Sequence, residues 1–121
     1  AYLDWIPLAG NVVELTEALI SAHNPTWTGA NGNGLYAHYL KDIAEAGFTN
    51  IETYSFDLNL IYTHEAWRGR IRASAGIGAS LSPEKIADFD REFAQLLTEK
   101  FPQNPLDIFH RVWWIVAHKG G

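Results

Sequence analysis

Three arginines stand close together in a chain that is otherwise acidic. Arg68, Arg70 and Arg72 are three of the five arginines in 121 residues whose formal net charge is −5. Two large aromatic residues, Tyr62 and Trp67, precede them, and small residues follow. A guanidinium offers a fork of N–H donors that matches a carboxylate or a phosphate. The run therefore predicts a site for a small anionic or aromatic ligand.

The same run is also typical of a solvated helix face. Arg68 and Arg72 are four residues apart and would share one side of a helix, with Arg70 pointing elsewhere. Exposed arginines commonly pair with acids such as Glu65, and such surface ion pairs contribute little to stability. At most two of the three arginines are therefore expected to touch one ligand.

Histidines, tryptophans and one asparagine complete the set of candidates. A general base helps when a hydroxyl group reacts, and histidine is the usual base. A hydrogen-bonded structural role is the alternative for each histidine, and packing is the alternative for the tryptophans. The candidate bases are His23, His64 and His110. The candidate ligand-binding residues are Trp5, Asn24, Trp27, Tyr62, Trp67, Arg68, Arg70 and Arg72.

The amino-acid composition limits the classes of protein to which this chain can belong. A chain of 121 residues that is 47% hydrophobic has the size and the apolar content of one folded domain. No run approaches the roughly 20 apolar residues of a membrane helix, and no signal peptide opens the sequence. The lack of cysteine excludes disulfides and thiolate metal sites and fits a cytoplasmic protein. The acidic net charge argues against binding to nucleic acid.

Strands and helices must position these residues. Residues 1–6 predict the end of a strand, and Asn11, with Glu14 three residues later, predicts the start of a helix. Asn24-Pro25 ends that helix, because a residue before proline avoids helical angles. A second helix is predicted over residues 35–46. Its expected buried residues are Leu35, Tyr39, Leu40 and Ile43.

The second half of the chain predicts two more strands around a helical insertion. Alternation with period two predicts a half-exposed edge strand over residues 51–62. The insertion 64–106 begins with a short helix and continues with one capped by Ser82, with Pro83 at its first position. Residues 107–118 are apolar on both faces, which predicts a central strand covered on both sides.

Several segments resemble class I S-adenosylmethionine-dependent methyltransferases. Residues 45–52 are similar to the start of the family's sixth strand, and residues 3–7 are similar to the end of its fifth. Further segments resemble a bacterial subgroup of these enzymes. They are His23–Trp27, Trp67–Arg72 and His110–Trp113. The match covers almost all of this chain and the C-terminal half of the family's catalytic domain.

The resemblance implies a fold and a function. The fold would be α/β, the C-terminal part of a Rossmann-like sheet in the order five, seven, six, with an antiparallel last strand and helical lid insertions (11–46 and 64–106). The glycine-rich loop and the acid that hold the cofactor would belong to the missing half. This partial domain would supply the acceptor-binding lid of a small-molecule methyltransferase, inactive alone and without bound S-adenosylmethionine. The alternative is a stand-alone, non-catalytic α+β module that binds a ligand or dimerises.

The expected topology also places the site and suggests a partner. Ligands of open α/β sheets bind beyond the carboxyl ends of the parallel strands, so the candidates should surround one cleft there. The expected ligand is an anionic or aromatic methyl acceptor, with no metal. Residues 1–6 would leave an unpaired strand edge, which favours a homodimer or a larger assembly.

Overall fold

The computed structural model describes residues 1–120 as seven elements. They run strand–helix–helix–strand–helix–helix–strand, which is the predicted order. The elements are β1 (Tyr2–Trp5), α1 (Val12–His23), α2 (Tyr39–Glu45), β2 (Phe48–Tyr62), α3 (His64–Arg72), α4 (Pro83–Lys100) and β3 (Leu106–Lys119).

The three strands form one sheet in the order β1-β3-β2. Both β1 and β2 pair antiparallel with β3, so β1 and β2 run in the same direction. Their last residues, Trp5 and Tyr62, lie opposite His110 and Leu106 near the start of β3. The α/β class, the central position of the last strand and its antiparallel direction are therefore confirmed.

Side-chain caps fix where three of the helices begin. Asn11, Thr63 and Ser82 precede α1, α3 and α4, and each accepts a hydrogen bond from a backbone N–H in the first turn. Such caps satisfy donors that have no partner inside the helix. The caps predicted at Asn11 and Ser82 are confirmed, and Pro83 occupies the first position of α4.

Helices α1, α3 and α4 enclose the core against one face of the sheet. The buried stripe of α4 consists of Phe89, Phe93 and Leu97, and β3 contributes Leu106 and Ile108. The remaining core residues are Val12, Val13, Leu19, Ile20, Trp67, Ile71 and Ile77.

Helix α2 differs from the prediction. It begins at Tyr39 rather than at residue 35, and it buries none of its residues. The side chain of Asn33 accepts a hydrogen bond from the N–H of Leu35, which forms a turn instead of helix. Tyr36 then stacks on Tyr2 of β1, with ring centres 3.9 Å apart. Aromatic stacking on the sheet therefore holds the segment that the sequence predicted as the first helical turn.

The predicted ends of two strands and the predicted burial of β3 also need correction. β2 begins at Phe48 rather than at residue 51, and β3 extends one residue further at each end than predicted. The far end of the helix-covered face is open, since Val116 is 40% exposed and Phe56 of β2 is 48% exposed. The expectation that β3 is covered on both faces is therefore wrong for its last residues, which the core helices do not reach.

Candidate functional site: an arginine in an aromatic cage

Arg70 lies among aromatic side chains on the helix-covered face of the sheet. Its guanidinium carbon is 4.9 Å from the ring centre of Trp5, 5.5 Å from that of Tyr62 and 5.7 Å from that of Trp67. All three distances fall within the roughly 6 Å over which a cation is attracted to a ring face. His110 completes the group. We call Trp5, Tyr62, Trp67, Arg70 and His110 the Arg70 cage.

The topology brings the cage together. Trp5 ends β1 and Tyr62 ends β2, and His110 lies on β3 directly opposite Trp5. Trp67 and Arg70 are three residues apart on α3, so their side chains are neighbours on the helix surface. The cage therefore lies where the two parallel strands end, as the sequence predicted for a binding site.

Hydrogen bonds orient the guanidinium of Arg70. Its Nη1 donates to the hydroxyl of Tyr62 at 2.9 Å and lies 2.6 Å from Nε2 of His110. Nδ1 of His110 is 2.8 Å from the carbonyl oxygen of Ile108. Nδ1 therefore carries the proton and donates, while Nε2 accepts from Arg70. Burial, aided by the charge of Arg70, lowers the pKa of His110 and favours this neutral form.

Helix α1 anchors two walls of the cage. Trp67 is fully buried, and its Nε1 donates to the hydroxyl of Thr16 at 3.1 Å. Nε1 of Trp5 donates to a carboxylate oxygen of Glu17, also at 3.1 Å. The two rings meet edge to face at 5.5 Å. Both walls are thereby held in one orientation around Arg70.

One edge of the Arg70 guanidinium has no protein partner within residues 1–120. Both of its hydrogen bonds use Nη1, which leaves the Nε and Nη2 donors without an acceptor. Every buried side-chain nitrogen or oxygen in the described part of the chain has a partner, so these two nitrogens reach solvent. The cage therefore presents a fork of free N–H donors.

Arg68 and Arg72 lie outside the cage and pair with Asp90 of α4. Arg68 donates from Nε at 3.0 Å and from Nη2 at 2.7 Å, one bond to each carboxylate oxygen, and Arg72 donates from Nη1 at 2.7 Å. The bonds from Arg68, with those from Arg72, lower the pKa of Asp90. We call Arg68, Arg72 and Asp90 the ion triad, because the three charges join α3 to α4.

The other candidate bases lie apart from the cage. Nε2 of His23 is 2.6 Å from a carboxylate oxygen of Glu92, and its ring meets Phe89 edge to face. Nε2 of His64 is 2.5 Å from the carbonyl oxygen of Gln103. Of the three candidate histidines, only His110 contacts Arg70 and Tyr62 of the cage.

Asn24 and Trp27 hold the turn that follows α3. The buried side chain of Asn24 donates to the carbonyl oxygen of Gly76 at 2.9 Å. Trp27 lies so close to Gly76 that a Cβ atom there would be 3.1 Å from its Nε1. These two predicted ligand residues therefore pack the two insertions together, away from Arg70.

Sequence reasoning missed the partners that support these arginines. No sequence pattern near Asp90 marks it as a partner of these arginines, because only the packing of α4 on α3 brings it to Arg68 and Arg72. The position of Glu17 in the sequence, by contrast, did indicate a buried carboxylate. It falls between Val13 and Ile20 on the buried side of α1, where a carboxylate needs a hydrogen-bond partner.

Of two open cavities, one borders the cage and the other shares no residue with it. An apolar groove of about 610 Å³ between α1 and α4 contains none of the predicted site residues. A polar pocket of about 220 Å³ at the end of β1 shares Trp5 with the cage and also borders Asp4 and Glu17. That volume is below the roughly 300–1,000 Å³ of typical small-molecule sites.

Comparisons with known proteins add no relatives. Neither a protein-family model, nor a curated protein, nor a solved structure matches this chain. Within residues 1–120, no three metal-ligating side chains gather into a metal site. The same part of the chain contains no helix with the length and apolar character needed to cross a membrane.

Proposed function

We propose that this chain forms the acceptor-side part of a cytoplasmic S-adenosylmethionine-dependent methyltransferase that acts on a small molecule. The observation that supports the proposal most is the sheet order β1-β3-β2 with an antiparallel β3. It is the order that the family resemblance implies for strands five, seven and six. The position of the Arg70 cage at the ends of the parallel strands fits the same proposal.

The residues of this chain would align the methyl acceptor and exclude water. Transfer of a methyl group from a sulfonium depends mainly on alignment, and positioning is worth roughly 7–11 kcal/mol in favourable cases. The free donors of Arg70 would hold an anionic group of the acceptor. His110 would position Arg70 rather than act as a base, because its Nε2 lone pair already accepts a hydrogen bond.

The residues of this chain do not fit the cofactor by themselves. The connection from β1 to α1 contains a single glycine, Gly10. No parallel strand adjoins β1 to supply an acid for the ribose, since its one neighbour within residues 1–120 is the antiparallel β3. S-adenosylmethionine would therefore be held by a part of the parent protein outside this chain.

Calorimetry with S-adenosylmethionine tests this proposal. The chain alone should give no binding heat, whereas the protein encoded by the complete reading frame should bind the cofactor and transfer its methyl group. Micromolar binding to the chain alone would contradict the proposal. A complete protein that does not bind the cofactor would contradict it equally.

A stand-alone ligand-binding module is the second candidate. The observation in its favour is that all five residues of the Arg70 cage come from this one chain. A reading frame that starts just before Ala1 and yields a protein that binds small anions without methyl transfer would favour this module. An intact mass of the natural protein distinguishes the two candidates.

We also propose that the chain self-associates through β1. The outer edge of this strand has no partner strand within residues 1–120, and Leu3 is 47% exposed. Unpaired backbone groups at a strand edge favour pairing with another chain. Light scattering should therefore give the mass of a dimer or of a larger assembly, and a monomer at high concentration would contradict this proposal.

A further inference from the structure

We propose that the free edge of Arg70 binds the carboxylate of a small molecule, with Nε and Nη2 each donating to one carboxylate oxygen. As a description of the methyl acceptor, this inference rests on the proposed transferase function. As a binding site it can be tested without that function, because all five residues of the cage lie in this chain.

The neighbouring Arg68 shows the filled form of the same arrangement. Its Nε and Nη2 donate to the two oxygens of Asp90 at 3.0 and 2.7 Å. Arg70 presents the same two atoms with no carboxylate within residues 1–120 to receive them. The other arginines all pair with an aspartate: Arg68, Arg72, Arg91 and Arg111. Within residues 1–120, Arg70 is therefore the one arginine without an acidic partner.

The cage holds the free donors in place before any ligand binds. Nη1 donates to both Tyr62 and His110, and these two bonds fix the direction of the guanidinium. A donor pair that is already oriented loses little conformational entropy on binding. The rings around Arg70 also lower the local dielectric constant, which strengthens its attraction for an anion.

The rings around Arg70, rather than the neighbouring charges, favour an aromatic carboxylate over inorganic phosphate. Glu17 accepts a hydrogen bond from Trp5, and the charge of Asp4 acts to raise the pKa of His110. A phosphate dianion would feel both the attraction of Arg70 and the repulsion of these acids more strongly than a carboxylate with a single charge, so charge alone does not separate the two ligands. The rings of Trp5 and Tyr62 lie next to the guanidinium and are only half-buried, and inorganic phosphate has no apolar surface that could pack on them. An aromatic acid is therefore the class of ligand that fits best.

Side-chain NMR with benzoate as the probe tests the site. Benzoate at millimolar concentrations should shift the Nε–H signal of Arg70 and leave that of Arg68 unchanged, because Asp90 already occupies the donors of Arg68. Benzamide, a neutral analogue of the same shape, should shift neither signal, and inorganic phosphate should bind more weakly than benzoate. Equal shifts from benzamide, or a stronger response to phosphate, would overturn the proposal.

Substitutions assign the response to Arg70. Arg70→Gln should weaken benzoate binding by at least about tenfold, whereas the matched Arg68→Gln should retain affinity within about twofold. If Arg70→Gln does not fold, Arg70→Lys retains the charge but lacks the fork and should bind about tenfold more weakly than the natural chain. Unchanged binding in a folded Arg70 variant would overturn the proposal. Calorimetry with S-adenosylmethionine is independent of these results, so the two proposals can fail separately.

Discussion

The ion triad and the Arg70 cage both contain arginines of the nine-residue helix α3. They differ in the groups that surround the positive charge of those arginines. In the triad, one carboxylate receives the N–H donors of Arg68 and Arg72. In the cage, aromatic rings and a neutral histidine surround Arg70 and leave two of its nitrogens free. The comparison shows that closeness in sequence does not make three arginines one site. Asp90 pairs with the two arginines that join the helices, and Arg70 is the one for which we propose a ligand.

Removal of Trp67 should have the largest effect, because it destroys the cage. Trp67 is fully buried and packs against both Trp5 and Tyr62. Trp67→Ala should lower the free energy of unfolding by about 3–5 kcal/mol, measured by urea denaturation. Trp114→Ala, in the half-buried part of β3, is the matched control and should cost less. A loss below about 1 kcal/mol for Trp67→Ala would show that the cage is not tightly packed.

Removal of Asp90 should break the triad and leave the cage intact. Asp90→Ala leaves Arg68 and Arg72 without their shared partner at a partly buried position, so we expect a loss of about 2 kcal/mol. Asp88→Ala removes the exposed pair with Arg91 and should change stability by no more than about 0.5 kcal/mol. Equal effects of the two substitutions in urea denaturation would contradict a special role for the triad.

The contribution of the triad should also depend on pH. Because the hydrogen bonds from Arg68 and Arg72 lower the pKa of Asp90 in the folded state, its contribution is complete above the ordinary aspartate pKa of about 4. It is lost as the pH falls through the lower folded-state value. The stability difference between the natural chain and Asp90→Ala should therefore be constant at neutral pH and shrink below about pH 4. A constant difference throughout acidification would contradict this prediction.

The smallest expected effect is on the titration of His110. Burial is the main cause of its lowered pKa and the charge of Arg70 is a further one. Arg70→Met removes the charge and keeps most of the burial, so the pKa of His110 should rise but stay below its ordinary value. An NMR titration of the imidazole carbon-bound protons measures this. A pKa in the variant that equals that of the natural chain would show that Arg70 does not contact His110.

Much of the fold could be predicted from the sequence, because strong local signals mark its elements. The caps at Asn11 and Ser82 and the alternation before Tyr62 depend on neighbouring residues alone. The start of α2 could not be predicted. It depends on Tyr36 stacking against Tyr2, a contact between residues 34 positions apart. Tertiary packing therefore overrides the helical pattern of that segment.

The sequence could name the residues of the candidate site, but not how they divide between the Arg70 cage and the ion triad. Trp5, Tyr62, Trp67, Arg70 and His110 were all candidates, and the topology brings these five together. The sequence could also place Arg68 and Arg72 on a different helix face from Arg70. It could not identify which of these arginines keeps free N–H donors, because Asp90 reaches α3 only through the packing of α4.

A crystal structure of the chain grown with benzoate tests the difference between Arg70 and Arg68 most directly. We expect a carboxylate with its two oxygens about 2.7–2.9 Å from Nε and Nη2 of Arg70, the bonds to Tyr62 and His110 retained, and Asp90 still on Arg68. A guanidinium of Arg70 whose Nε and Nη2 are closed by Glu17 or Asp4 of the same chain, with benzoate absent from the cage, would contradict our account.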